Sequence, residues 1–285
     1  MKQVWFKQFC KLLFLLLVIA FFPLGIVAQN VEKIGISYQK TGDGLYDMYV
    51  ENPSFYPVQF LLNFTELDNY ETSDPLPYIC TLFPGKVKLM TLRRTILDIP
   101  GSFKHKYETR VGAYPVNYDQ NTVYQLPVPP GKSTKAIWFD LSKSDDPAKI
   151  MWAFSLTAGD TVYACREGVV CMLTESKVNN GYRAGENSIT VCHPDNSFGK
   201  YEVFADSSMF VKVGDKVNTG TPIGLAGGSN YAVGSHVRFS AYYCNVRIDS
   251  ITGQRLRNYY RYVDPLFQTS DGKTTQVKAD QLYTK

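Results

Sequence analysis

Short runs of alternating apolar and polar residues dominate this chain, whereas apolar residues at helical spacing are scarce. Alternation with a period of two is typical of half-buried β-strands. The 20 tyrosines and 17 phenylalanines also favour strands. The pattern therefore predicts an all-β protein, with an immunoglobulin-like β-sandwich in the first half. The predicted strands of that half are Ile34 to Tyr38, Leu45 to Val50, Val58 to Asn63, Val87 to Leu92 and Val123 to Leu126.

The most regular pattern of the second half lies between Val211 and Tyr242. It begins with the run VKVGDKVNTGTPIGLAGG and ends, after a short loop, with GSHVRFSAY. Gly214 and Asp215 predict a tight turn between two short strands. The last piece alternates again, so His236, Arg238 and Ser240 are expected on one face of a strand. A histidine and an arginine on one strand face are the first candidates for a functional site.

This run resembles the C-terminal half of the lysostaphin-type, LytM-like zinc endopeptidases of peptidoglycan. Their pattern is close to V-K-V-G-D-x-V-x-x-G-x-x-I-G-x-x-G, followed after a loop by G-P-H-L-H-F-E. The resemblance extends over roughly Ala153 to Tyr243 and is carried by glycines and apolar positions. It implies a LytM-like antiparallel β-sheet domain, the duplicated hybrid motif, behind the sandwich.

The ligands and catalytic histidines that the resemblance implies are mostly replaced. The second histidine of the family's H-x-H is here Arg238, and the aspartate of its H-x3-D falls on Ala153. The histidine of that pair falls on Lys149, or near Asp146 with a longer spacing. A further catalytic histidine falls on Asp206. The groove that the resemblance outlines therefore contains His236, Arg238, Asp206, Lys149 and Ala153.

These replacements remove the chemistry of a catalytic zinc site. Such a site needs three protein ligands, usually nitrogen or oxygen, and a fourth position for water. Alanine and arginine cannot ligate zinc, and lysine can do so only after losing its proton. Arg238 would also place a positive charge where the cation should lie. We therefore expect zinc to be absent although the family uses it.

The leading hypothesis is a catalytically inactive protein of the cell envelope. Metal-free members of the family bind the cell wall or activate wall hydrolases, so the resemblance implies peptidoglycan peptide stems or a cell-wall hydrolase as partners. In the groove, His236, Arg238 and Asp206 are the candidate ligand-binding residues, and Arg238 and Lys149 could meet carboxylates. We also expect Arg238 to form an ion pair with Asp206 in place of the metal.

Two alternatives remain open at the level of sequence. One is an active zinc metalloendopeptidase with an unusual ligand set, for example His236, Asp206 and His193. The other is a structural β protein of the envelope. Metal content separates the enzyme from both other hypotheses, and binding to sacculi separates the binder from the structural protein.

The N-terminal 28 residues have the features of a secretory signal. Lys2, Lys7 and Lys11 precede an unbroken apolar run, and Ala28 ends an acceptable cleavage site. A retained membrane anchor is the alternative, since no polar residue occurs between Leu12 and Ala28, although that length is short for a bilayer span. The signal predicts a secreted or periplasmic protein that contacts the membrane only through this segment, before cleavage.

Composition limits the remaining possibilities. Removing the three lysines of the signal lowers the net charge from +4 to +1, and no basic run favours nucleic acid. The predicted organisation is a signal at 1–28, a sandwich domain at 30–137, a LytM-like domain at 138–270 and a tail at 271–285. His105, between two lysines, is expected in solvent. The five cysteines beyond the signal follow no ligand pattern and are expected to be buried and inert.

Overall fold

The protein is all-β throughout the part of the chain that can be described. The structure, a computed structural model, describes residues 33–139, 141, 148–175, 187–248 and 259–285, and every regular element in these ranges is a strand. None of the described residues forms a helix with the length and hydrophobicity of a membrane span. The predicted fold class is therefore confirmed. The signal segment and Asp146 lie outside the described residues.

Nine strands occur before residue 140: seven form two small sheets, β8 belongs to a third small sheet and β9 to the large sheet. A four-stranded sheet has the order β1-β2-β6-β4, and a three-stranded sheet has the order β5-β3-β7. All their pairings are antiparallel. The immunoglobulin-like assignment stays a prediction. The strands are β1 Gly35–Gly42, β2 Leu45–Asn52, β3 Val58–Asp68, β4 Tyr70–Thr72, β5 Tyr78–Leu82, β6 Gly85–Arg94, β7 Ser102–Val111, β8 Val123–Gln125 and β9 Ser133–Trp138.

The second half is organised around one large sheet. Its order is β16-β12-β13-β14-β18-β10-β9-β22, with β19 also paired to β18. Two three-stranded sheets, β11-β17-β15 and β21-β20-β8, accompany it. The strands are β10 Trp152–Ser155, β11 Thr161–Tyr163, β12 Gly168–Thr174, β13 Ser188–Cys192, β14 Phe198–Glu202, β15 Phe204–Met209, β16 Lys216–Val217, β17 Pro222–Ala226, β18 His236–Cys244, β19 Tyr260–Val263, β20 Leu266–Gln268, β21 Thr274–Gln276 and β22 Leu282–Thr284.

The central strands of the large sheet have one apolar face and one mixed face. Phe154 on β10, Tyr201 on β14 and Phe239 on β18 are buried in the principal core, together with Val237 and Ala241. The residues that alternate with them point the other way, because successive side chains of a strand point to opposite faces. This second face carries His236 and Arg238, as the alternation predicts.

Several pairings cross the predicted boundary at 137/138. Strand β8 pairs with β20 in parallel register, and β9 lies between β10 and β22. A second buried cluster joins Met48 and Phe60 of the first half to Cys192, Phe198 and Tyr242 of the second. The division into domains stays a prediction, and the two halves share sheets and core.

The glycine-rich run contains a tight turn and a close approach between strands, as its composition suggests. Gly214 has a φ of +95°, and the Asp215 amide donates to the Lys212 carbonyl oxygen, which confirms the predicted turn. A side chain at Gly227 would meet the backbone of Phe204 at 2.8 Å. Glycine at this position therefore lets β17 lie close against β15.

The first half departs from the sequence expectations in two details. His105 does not lie free in solvent: it is half-buried on β7, and its Nδ1 lies 2.8 Å from the hydroxyl of Tyr38. Strand β7 itself was not predicted, because its inward positions mix Phe103 and Tyr107 with His105 and Thr109 and dilute the apolar signal. The described cysteines form no disulfide, and Cys165, Cys171, Cys192 and Cys244 are buried while Cys80 is half-buried.

Candidate functional site

Three neighbouring strands bring the core of the predicted groove together. Arg238 on β18 lies in register with Ala153 of β10 on one side and with Glu202 of β14 on the other. His236, two residues earlier, is in register with Ser155. Residues paired in this way share a face of the sheet. The structure therefore places Ala153, Arg238 and His236 side by side on the face opposite the core.

His236 is a buried, neutral imidazole with both nitrogens engaged. Its Nδ1 lies 2.7 Å from the carbonyl oxygen of Gly234, and a carbonyl only accepts, so Nδ1 carries the proton. Its Nε2 then accepts a hydrogen bond of 3.2 Å from the Nε–H of Arg238. Burial, and secondarily the charge of Arg238, lowers the pKa of His236. The nitrogen that could bind a metal is therefore occupied by the guanidinium.

Two aromatic rings stand beside Arg238. Its guanidinium carbon lies 4.6 Å from the ring centre of Phe139 and 5.0 Å from that of Tyr231. The same rings contact the imidazole of His236, Phe139 nearly parallel to it and Tyr231 edge-on. Cation–π contacts of this kind fix a guanidinium in place. We call Arg238, His236, Phe139 and Tyr231 the arginine cluster.

A buried carboxylate with two lysines adjoins the arginine cluster. Glu202 accepts from Lys149 at 3.3 Å and from Lys200 at 2.7 Å, and its side chain is only 10% exposed. Burial alone would raise the pKa of Glu202, but the lysines hold that pKa below its ordinary value. Glu202 is therefore ionised. Lys149, a predicted groove residue, already has an ion-pair partner here.

Asp206 is not part of this arrangement, and the predicted ion pair with Arg238 is wrong. Asp206 is exposed on β15, where it accepts a hydrogen bond of 3.0 Å from Nδ2 of Asn187, and no ion pair within 4 Å joins it to Arg238. The chain leaves the large sheet at Val203, which has a φ of +78°, and β15 continues in another sheet. Asp206 therefore lies on a strand outside the large sheet that contains Arg238.

His193 lies apart from the arginine cluster as well. It follows β13, whose last residue, Cys192, is in register with Phe198 of β14. Phe198 lies four residues, or roughly 13 Å, along β14 from Glu202, which is in register with Arg238. Its Nδ1 lies 2.7 Å from the Glu167 carbonyl oxygen, and its buried Nε2 has no partner among the described residues. The ligand set His236, Asp206 and His193 is therefore not assembled.

The residues at the expected zinc position do not fit zinc. Ala153 offers no donor atom, Arg238 carries a positive charge, and the free lone pair of His236 is already an acceptor for Arg238. Among the described residues no three His, Cys, Asp or Glu side chains are grouped so that they could hold a metal ion. The donor set among the described residues therefore departs from what a catalytic zinc requires.

Comparison with known families agrees with the sequence resemblance. Residues 152–250, about a third of the chain, match the sequence model described as "Peptidase family M23". This segment is M23-like. The predicted resemblance to lysostaphin-type peptidases is thereby confirmed for the part of the chain that contains β10 to β18. No curated protein matches the chain.

Several solved structures are similar to parts of the chain. The catalytic domain of lysostaphin from Staphylococcus simulans is 22% identical, with 39% of this chain and 72% of that chain covered and a TM-score of 0.28. A mutant catalytic domain of the M23 protein EnpA from Enterococcus faecalis is 20% identical, covering 46% and 87%, with a TM-score of 0.28. A chain of the SpoIIQ–SpoIIIAH pore-forming complex is 19% identical, covering 43% and 85%, with a TM-score of 0.30.

Sequence reasoning found the arginine and histidine of the site but missed their neighbours. Phe139 is distant in sequence from β18, and Tyr231 lies in the irregular loop just before it; neither belongs to a motif, so only the fold brings them to Arg238. Glu202 carried a usable signal, since it alternates with Lys200 on a short strand next to the predicted site. The contact between Arg238 and His236 follows from their i, i+2 spacing.

Proposed function

We propose that this protein is a secreted or periplasmic M23-like pseudoenzyme that binds peptide stems of peptidoglycan or regulates a cell-wall hydrolase. The M23 match and the predicted signal support an envelope location. One observation carries the proposal: Arg238 stands where the family's H-x-H has its second histidine, and its Nε–H occupies the remaining lone pair of His236. A groove built in this way keeps a binding surface and lacks a metal-activated water.

The geometry favours the binder over the metalloendopeptidase with an unusual ligand set. That alternative needs His236, Asp206 and His193 around one cation, and the fold holds them on separate elements. Water activation near pH 7 in this family requires the metal. Without such a ligand set, the groove can hold a peptide but has no means of hydrolysing it.

Incubating the purified protein with isolated sacculi tests the proposal. The soluble fraction is assayed for released muropeptides, with and without added zinc, and the pellet is assayed for bound protein. We expect no release under either condition and co-sedimentation that Arg238→Ala weakens. Arg93→Ala is the matched control, because Arg93 is exposed on β6 in the other half of the chain.

Two results would count against the proposal in different ways. Zinc-dependent release of muropeptides would establish the enzyme. Absence of sedimentation, together with no effect on any added wall hydrolase, would favour the structural envelope protein.

A further inference from the structure

The guanidinium of Arg238 has N–H donors that form no hydrogen bond with the described residues. An arginine offers five N–H groups, and only Nε–H is committed, to His236. Neither terminal nitrogen donates to an acceptor within the described residues, although the side chain is only partly exposed. A partly desolvated guanidinium with open donors is the group that proteins use to bind carboxylates and phosphates.

The commitment of Nε determines how an anion can approach. A carboxylate can pair with arginine either along the Nε–Nη edge or along the Nη1–Nη2 edge. His236 closes the first edge, because it accepts from Nε at 3.2 Å. The second edge is left for two parallel N–H···O bonds. The site therefore offers end-on, two-point recognition of a pair of oxygens.

The two rings favour an organic anion over a hydrated inorganic one. Phe139 and Tyr231 lie 4.6 Å and 5.0 Å from the guanidinium carbon and place apolar surface beside it. A charge-assisted hydrogen bond is stronger where water is excluded. The rings also provide apolar surface for the side chain and methyl groups that flank the carboxylate of a peptide. Both effects suit a peptide end better than a free ion.

Charge in the adjoining part of the face also favours an anion. Lys149 and Lys200 surround the single carboxylate of Glu202, which is in register with Arg238. This leaves an excess of positive charge near Arg238. Asp206, the carboxylate expected to neutralise Arg238, lies on β15 in another sheet and pairs with Asn187. No carboxylate among the described residues therefore fills the anion position.

We infer that the Nη1–Nη2 edge of Arg238 is a receptor for the C-terminal carboxylate of a short peptide. The inference rests on the proposed function, since it names the ligand class of the same site. His236 acts as a positioning residue that orients the guanidinium, and Phe139 and Tyr231 contact the residue that bears the carboxylate. The peptide is held by its end and is not cleaved.

Titration calorimetry with a matched pair of ligands tests this inference. The probes are acetyl-alanyl-alanine with a free carboxylate and the same dipeptide as its C-terminal amide. We expect the acid to bind about tenfold or more tightly than the amide, the ratio expected for a charge-assisted two-point contact. Arg238→Lys keeps the charge but loses the fork, so it should reduce this preference several-fold. The control Arg93→Lys should leave the preference unchanged.

A second variant tests the inference even if Arg238→Lys does not fold. Phe139→Leu removes one ring and leaves Arg238, and it should weaken binding of the acid more than binding of the amide. Equal affinity for acid and amide would overturn the inference. Displacement of the peptide by inorganic phosphate at equal concentration would also overturn it, because the site would then recognise anions in general.

Sacculus sedimentation tests the proposed function separately from the dipeptide titrations. If acid and amide bind alike while sedimentation still depends on Arg238, the carboxylate receptor is wrong and the wall-binding function stands. If muropeptides are released in a zinc-dependent manner, the proposed function fails whatever the dipeptides do.

Discussion

His193 is a buried imidazole whose environment makes stability depend on pH. Burial lowers its pKa to about 4, and its Nε2 has no partner among the described residues. An imidazole in the unfolded chain titrates near 6.5, so the unfolded state binds more protons between these values. The stability that His193 contributes is therefore complete above pH 6.5 and is lost as the pH falls toward 4.

We predict that protonation of His193 alone makes the free energy of unfolding about 2 kcal/mol lower at pH 5 than at pH 7. Denaturant unfolding of wild type and His193→Gln at several pH values measures it. The variant should show the smaller pH dependence over this window, whatever its absolute stability. His236 and His105 also have lowered pKa values and remain in both proteins, so they cancel in the comparison. Equal pH dependence of the two proteins would contradict the prediction.

Arg238 is the residue that separates this site most clearly from a zinc site. Arg238→His restores the H-x-H spacing, but Ala153 in register with it still offers no ligand. We predict that this variant releases no muropeptides from sacculi in the presence of zinc, because at least one further ligand is missing. Zinc-dependent release by the single variant would show that other residues complete the site.

At the level of elements, Gln59 connects a strand of the first half to the second half. Its Nε2 donates to the carbonyl oxygen of Val246 and to the hydroxyl of Tyr259, both at 2.9 Å, and its Oε1 accepts from the Ile248 amide at 2.7 Å. The side chain is buried on β3. Removing it leaves the buried Ile248 amide and the partly buried Val246 carbonyl without this partner, which costs part of their lost hydration.

We predict that Gln59→Leu lowers the free energy of unfolding by about 2–4 kcal/mol. Gln39→Leu is the matched control, because Gln39 is exposed on β1 and should change stability little. Chemical denaturation of both variants provides the comparison. A loss in Gln59→Leu no larger than that of the control would show that these hydrogen bonds do not stabilise the junction.

The strands of this protein differ in how clearly their sequences predict them. Alternation located β1, β2, β3, β6, β8 and β18, because many of their buried and half-buried positions are aliphatic or aromatic. The same alternation placed His236 and Arg238 on one face. It could not place Asp206, since the break at Val203 is a left-handed backbone at a β-branched residue, for which the sequence has no signal. Nor could it bring Phe139 to Arg238, because long-range packing decides that contact, or Tyr231, which lies in the irregular loop before β18.

At the scale of the whole molecule, the two halves should unfold together. Their strands pair across the predicted boundary, and one buried cluster contains residues of both. We predict a single cooperative transition in denaturant. Tryptophan emission, which reports Trp138 and Trp152 of the large sheet, should follow the same curve as far-ultraviolet circular dichroism, which reports all strands. Two separated transitions would instead support independent domains.

We propose that the M23-like part of this chain lacks the donor set for a catalytic zinc. Elemental analysis of the purified full chain, prepared without chelators and dialysed after exposure to zinc, tests this most directly. The replacements at Ala153 and Arg238, with the hydrogen bond from Arg238 to His236, predict zinc far below one ion per chain. One tightly bound zinc per chain, lost on mutation of His236, would contradict the account.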